Sequence, residues 1–139
     1  MTTSLAEQLK KSGVTGKRIS QFDVFTIFDE LIDFPEERLD QQRKKHAKRF
    51  VIILQNNKDN ENPVIQVVLV APLSTKPQQH RLDYLLAKKD SSFLPSDSYI
   101  RLRYTQPILK MDLKAKWGNV AQSDVRDRIK DRLFDLFGF

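Results

Sequence analysis

The stretch from Arg49 to Thr75, RFVIILQNNKDNENPVIQVVLVAPLST, decides how this chain folds. It holds two apolar runs, Arg49 to Leu54 (RFVIIL) and Val64 to Ala71 (VIQVVLVA). Both are short and rich in β-branched residues, which favours buried strands. Between them, Gln55 to Pro63 (QNNKDNENP) has the Asn, Asp and Pro content of a surface loop. Two strands joined this way pair as an antiparallel hairpin, so the start of the first lies beside the end of the second. Arg49 is therefore expected near Ser74 and Thr75 at one rim of a sheet, with the Asn-rich loop at the far end.

Upstream, Gln21 to Leu31 (QFDVFTIFDEL) reads as another buried strand. Phe34 to Lys48 is different. Pro35 and Glu36-Glu37 suit the first turn of a helix, and Arg43, Lys44, Lys45 and Lys48 suit the last. Leu39 is nearly its only large apolar side chain, and a helix polar all round does not belong in a core. The expectation is an exposed helical insertion over 34–48 between the first two strands. Residues 1–20 read as a peripheral extension with a short helix, opened by a Ser4…Glu7 capping box and stopped by Gly13.

Downstream, shorter strands are expected over His80 to Leu86, Asp97 to Tyr104 and Gln106 to Met111. Ser123 is expected to cap a final helix with Val125, Ile129, Leu133 and Phe137 on one stripe and Gly138 just after it. The whole, 1–139, reads as one domain of the α+β or mainly β class: a strongly bent antiparallel sheet or barrel with helices at its ends.

Composition narrows the chemistry. The 139 residues match one ordinary domain, and 40% of them are hydrophobic, enough for one core. No apolar run reaches the roughly 18 residues that a membrane span needs, and Met1 to Lys11 lacks the basic-then-apolar order of a signal peptide. The chain has no cysteine. That removes disulfides, thiolate zinc sites and cysteine nucleophiles, and it fits a reducing cytoplasm. The net charge of +6 suits a polyanionic partner.

His46 and His80 are the only histidines, and no carboxylates cluster with them at ligand spacing, so no metal or other cofactor is expected. The four glycines form no phosphate-cradling loop. What remains is Arg49, whose guanidinium is a planar fork of donors, beside the hydroxyls of Ser74 and Thr75: a combination suited to phosphate. Local sequence also allows a plainer reading. Arg49 is then a solvated strand end, Ser74 and Thr75 form a turn before Pro77, and the basic run from Arg43 is a solvated helix end. Trp117 reads as a packing anchor or as a base-stacking surface.

The order of features carries a resemblance. Phe22-Asp23-Val24-Phe25 matches an early strand of the form Asp-Val-aromatic. Arg49 to Asn56 matches an arginine opening an apolar strand that ends in polar residues. Val70-Ala71-Pro72-Leu73-Ser74-Thr75 matches a strand closing on Pro-x-[Ser/Thr]-[Ser/Thr], and Ser98-Tyr99-Ile100-Arg101-Leu102 matches Ser-x-Ile-x-Leu. Over about residues 21 to 137, the chain resembles the MazF/PemK toxins of type II toxin–antitoxin systems. It departs from them at Phe22, where the family has Gly, and at Phe50, where it has Pro. The polar insertion stands in place of a Gly-rich loop that folds over the site. Tyr104-Thr105-Gln106-Pro107-Ile108 lacks the arginine of the family's Gln-x-Arg-Thr.

The resemblance implies an SH3-like barrel that forms a homodimer. It implies a metal-independent, sequence-specific endoribonuclease that cuts single-stranded RNA, leaving a 2′,3′-cyclic phosphate and a 5′-hydroxyl. Arg49 takes the position of the proposed acid and phosphate ligand. Ser74 takes that of the hydroxyl holding the reacting phosphate, with Thr75 as a shifted alternative. Lys44, Lys45, His46 and Lys48 on the insertion are the first expected RNA contacts. His80, Arg81, Arg101 and Arg103 are the others. The expected protein partner is an acidic, partly disordered antitoxin. Two other functions share the fold: a gyrase-poisoning toxin and a non-catalytic RNA-binding barrel.

Overall fold

Three central strands carry the molecule, and each alternates its side chains between two sides of a curled sheet. A computed structural model of the chain describes residues 18–39 and 46–138. Strand β1 (Asp23–Phe28) pairs antiparallel with β2 (Lys48–Ile53), which pairs antiparallel with β3 (Val67–Ser74). Val24, Ile52, Ala71 and Leu73 enter one core. Phe25, Ile27, Val51, Ile53, Val68 and Val70 enter the other. Period-two alternation with both faces covered is why these strands read as continuous apolar runs.

Around this centre lie β4 (Tyr84–Leu86), β5 (Ser98–Ile100), β6 (Gln106–Leu109) and β7 (Lys116–Asn119). The path runs β4-β5-β3-β2-β1-β7, with β6 also paired to β3, all antiparallel. Strand β3 makes the curl by changing partners along its length. Val67 to Val70 pair with β6, while Leu73 and Ser74 pair with β5. Pro72, which has no N–H to give, sits between those two pairings, and its carbonyl accepts from Arg101 N at 2.9 Å. A shift of register between Val24 and Phe25 bends β1 against β7. The expected bent antiparallel architecture is thus present as a curled half-barrel.

Helix α1 (Asn57–Glu61) lies within the loop expected over 55–63. Asn56 caps it by accepting from Asp59 N at 2.9 Å. Helix α2 (Ser123–Phe137) closes the chain, burying Val125 and Ile129 in the first core with Leu133 partly buried against it. Phe137, the last of the expected stripe, is exposed. Gly138 ends the helix in the left-handed conformation at φ 73° and donates to the Phe134 and Asp135 carbonyls. The N-cap is Gln122 rather than the expected Ser123, and no side chain caps it, because the Gln122 amide is turned away to the Asp90 carbonyl.

Other elements also differ from expectation. The first strand ends at Phe28, and Asp29–Leu31 form a 3-10 turn. The described part of the expected 34–48 helix is a single 3-10 turn, Pro35–Arg38, and Lys48 opens β2. The segment offers no apolar stripe to bury; Phe34 packs it edge-on to Tyr104 at 5.0 Å between ring centres. Residues 40–45 of that expected helix, and the expected N-terminal helix, lie outside the described residues. Strand β7 was not expected, because its KWGN sequence has no alternation to read.

Candidate functional site

The register of β2 and β3 sets the site. Val51 faces Pro72, and beyond that pair Arg49, earlier on β2, lies beside the end of β3 that carries Leu73 and Ser74. The Arg49 side chain then turns back under the 3-10 turn that follows β1. Its Nε donates to Asp29 Oδ1 at 2.6 Å and its Nη1 to the Leu73 carbonyl at 2.9 Å. Its Cζ lies 5.0 Å from the centre of the Phe34 ring. Asp29 is fully buried, while Arg49 keeps 10% of its side chain exposed. The other Asp29 oxygen accepts from His46 N at 2.8 Å. Two donors of the guanidinium fork are thereby fixed, and the fork's orientation with them.

Ser74 is fixed from the loop that follows it. Its Oγ accepts from Lys76 N at 3.2 Å, a local turn that occupies a lone pair and leaves the hydroxyl proton to donate elsewhere. Arg49, Ser74 and Lys76 line two adjoining cavities. The larger, about 470 Å³, also has Phe34, Glu36 and Tyr104 in its wall. The smaller, about 190 Å³, takes in His46, Lys48 and Thr75. Burial, and then a hydrogen bond to Glu36, push the Tyr104 phenol above its usual range, so it stays a protonated donor at neutral pH. Among the described residues, no three His, Asp or Glu side chains come together as metal ligands.

The expected basic surface divides into unlike parts. His46 and Lys48 stand at the smaller cavity beside Arg49. Arg101 lines the larger one, but it is 2% exposed and its guanidinium is taken up by Asp83 and by the Lys76 and Pro77 carbonyls. These bonds hold it as a buried structural cation in the cavity wall. Arg103 lies 3.7 Å from Glu36 and over the Tyr104 ring. His80 accepts from Leu82 N through Nδ1, and Arg81 pairs with Asp135 on α2; neither lines either cavity. Lys44 and Lys45 lie outside the described residues.

Asp29, Phe34, Lys76 and Tyr104 were missed in the sequence. Asp29 left a trace there as an acidic residue at the end of an apolar run, and Tyr104 as the head of the segment that stands for the family's Gln-x-Arg-Thr. Phe50, where the resemblance has proline, packs edge-on to Trp117 at 4.9 Å, which makes Trp117 a packing partner.

The family model of the PemK-like, MazF-like toxins of type II toxin–antitoxin systems matches residues 30–137. The chain belongs to this toxin family. The match spans β2, β3 and α2 with both flanks of the cavities, so Arg49 and Ser74 fall inside it. The fold agrees. A crystal structure of MazE–MazF (Form-II) from Deinococcus radiodurans superposes with a TM-score of 0.58 at 12% identity, covering 88% of this chain and 96% of that one. No curated protein sequence matches this chain. Among the described residues, no helix of the toxin is long and apolar enough to cross a membrane.

Proposed function

We propose that this toxin is an endoribonuclease that cuts single-stranded RNA without a metal ion at the site formed by Arg49 and Ser74. The observation that carries the reading is the meeting of these two residues where the cavities join, with the guanidinium already oriented by Asp29 and the Leu73 carbonyl. In RNA the nucleophile is the substrate's own 2′-oxygen. It attacks the adjacent phosphorus, the bond to O5′ breaks, and a 2′,3′-cyclic phosphate and a 5′-hydroxyl result. The 2′-hydroxyl loses its proton and the departing O5′ gains one. The protein's part is to hold the geometry and stabilise charge on the phosphate oxygens.

Arg49, with its remaining N–H groups, faces those oxygens and stands as the acid of the resemblance. The Ser74 hydroxyl donates to the same phosphate. Thr75, exposed beside the smaller cavity, is the shifted alternative. Lys48 extends the positive rim, and His46 lines the cavity beside it. An acidic antitoxin docked across this rim fits the charge of +6 and the likeness to a MazE–MazF structure, and a homodimer completes the assembly.

The test is end-mapping on a long RNA incubated with purified protein in EDTA. Expected are cuts at a short recurrent sequence, cyclic-phosphate and 5′-hydroxyl ends, and loss of both in a folded Arg49→Ala variant. RNA that is bound but left whole would overturn the reading in favour of a binding barrel; DNA damage in cells without RNA loss would overturn it in favour of a gyrase poison.

A further inference from the structure

Lys76 has no part in the mechanism above, yet it shares with Arg49 and Ser74 the lining of both cavities. Its side chain is exposed, but its backbone is held from beneath. The Lys76 N–H donates to Ser74 Oγ, and its carbonyl accepts from Arg101 Nη2 at 2.8 Å. The next carbonyl, Pro77, accepts from the same nitrogen at 3.1 Å. Arg101 Nη1 donates to Asp83 Oδ2 at 2.5 Å, and that oxygen also accepts from Gln79 N at 2.9 Å and His80 N at 3.1 Å. One buried ion pair, 2% and 1% exposed, therefore ties down both halves of the loop from Lys76 to His80.

Such a pair is an expensive way to hold a surface loop, because taking both charges out of water costs several kcal/mol per ion. The arrangement is not even fully satisfied, since Asp83 Oδ1 has no hydrogen-bond partner among the described residues. Stability alone does not account for it; a required position of the loop does. The cation that the loop presents beside Arg49 and Ser74 is Lys76.

We propose that Lys76 binds the RNA phosphate neighbouring the one that is cut, and that the Arg101–Asp83 pair is the positioning device that holds Lys76 there. This rests on the reading of the site as an RNA-cleaving one. A strand passing from one cavity into the other places the reacting phosphate at Arg49 and Ser74 and the next one at Lys76. A contact to phosphate carries no base information, so Lys76 supplies affinity and register rather than sequence choice.

The test measures binding of the full-length protein to a short RNA carrying 2′-O-methyl groups, which cannot be cut, across a range of salt. Lys76→Met should weaken binding roughly tenfold and flatten the slope of log affinity against log salt by about 0.7. Lys76→Arg should restore both. On unmodified RNA, Lys76→Met should raise KM, with kcat within about threefold and the cleavage sequence unchanged. Asp83→Asn, with Arg101→Lys as the milder second variant, should weaken binding in the wild-type background and add little in the Lys76→Met background, the non-additivity expected of residues acting through one another.

An unchanged salt slope in Lys76→Met, with wild-type protein cutting RNA in EDTA, overturns this proposal and leaves the nuclease reading standing. Wild-type protein that binds but does not cut overturns the nuclease reading, while the slope still decides Lys76. Fully additive losses overturn the positioning role of Arg101 and Asp83.

Discussion

Asp29 Oδ1 accepts the Nε–H of Arg49 at 2.6 Å, and the carboxylate is wholly withdrawn from solvent. The site's central cation is thus aimed by a residue that belongs to no strand. Among the described residues, the pair also leaves Nη2 outside the fixed bonds, which is the edge a phosphate needs. Asp29→Asn keeps the shape and removes the charge. Its single amide oxygen cannot serve both Arg49 and His46 N, so the fork loses its fixed aim. Cleavage should fall on the order of 100-fold, the scale expected when a catalytic group is misplaced by about 1 Å, with a lower melting temperature. Wild-type rates in this variant would mean that the Leu73 carbonyl alone aims Arg49.

The two hydroxyls at the end of β3 are separable. Ser74 lines both cavities, and its oxygen is oriented by Lys76 N, whereas Thr75 lines only the smaller one. Ser74→Ala should reduce kcat on the order of 100-fold, as loss of a preorganised donor to a developing oxyanion does. Thr75→Ala should stay within about tenfold of wild type. The reverse order in single-turnover kinetics would move the phosphate into the smaller cavity.

The meeting of Arg49 and Ser74 was legible in the sequence because antiparallel pairing relates two strands by a fixed register once the loop between them is recognised. β1, β2, β3 and α2 were legible for the same kind of reason, a period that burial imposes. What could not be read lies in turns. Asp29 reaches Arg49 only because the chain leaves β1 at Phe28, three residues earlier than the expected end at Leu31. Arg101 and Arg103 look alike in sequence, yet one is sealed against Asp83 and the other remains partly exposed near Glu36. Charge alone does not say which. Strand β7 escaped because a polar edge strand pairs through its backbone and has little to bury.

Phe22 sits at φ 70°, the left-handed region that glycine favours, and it stands where the family resemblance has glycine. Its ring is 2% exposed in the first core, with Arg126 5.1 Å from the ring centre. Burial of the aromatic ring offsets the backbone strain. The two terms make an unusual order testable. Phe22→Ala loses about 3–5 kcal/mol of packing and keeps the strain. Phe22→Gly loses similar packing but relieves about 1 kcal/mol of strain. Chemical denaturation should therefore find the glycine variant more stable than the alanine variant, both below wild type. An alanine variant at least as stable as the glycine one would mean that the left-handed turn imposes no strain.

Lys110 is 1% exposed and donates to three carbonyls, Asp59 at 2.9 Å and Asn60 and Asn62 at 3.1 Å each, closing the end of α1. Lys110→Met leaves those acceptors without their donor and should cost about 2 kcal/mol, with the loop around α1 the first to exchange its amide hydrogens. The pH dependence has a definite sign. Desolvation holds the folded ammonium's pKa below its usual 10.5. Between the folded value and 10.5, the unfolded chain binds this proton more strongly than the folded one, so unfolding free energy rises with pH through that window. The benefit is complete above 10.5 and is lost as pH falls through the folded value. The stability difference between wild type and Lys110→Met should accordingly widen on going from neutral pH towards 10.5. Parallel stability curves for the two proteins across that range would mean that the three carbonyls fully replace the water that the ammonium gave up.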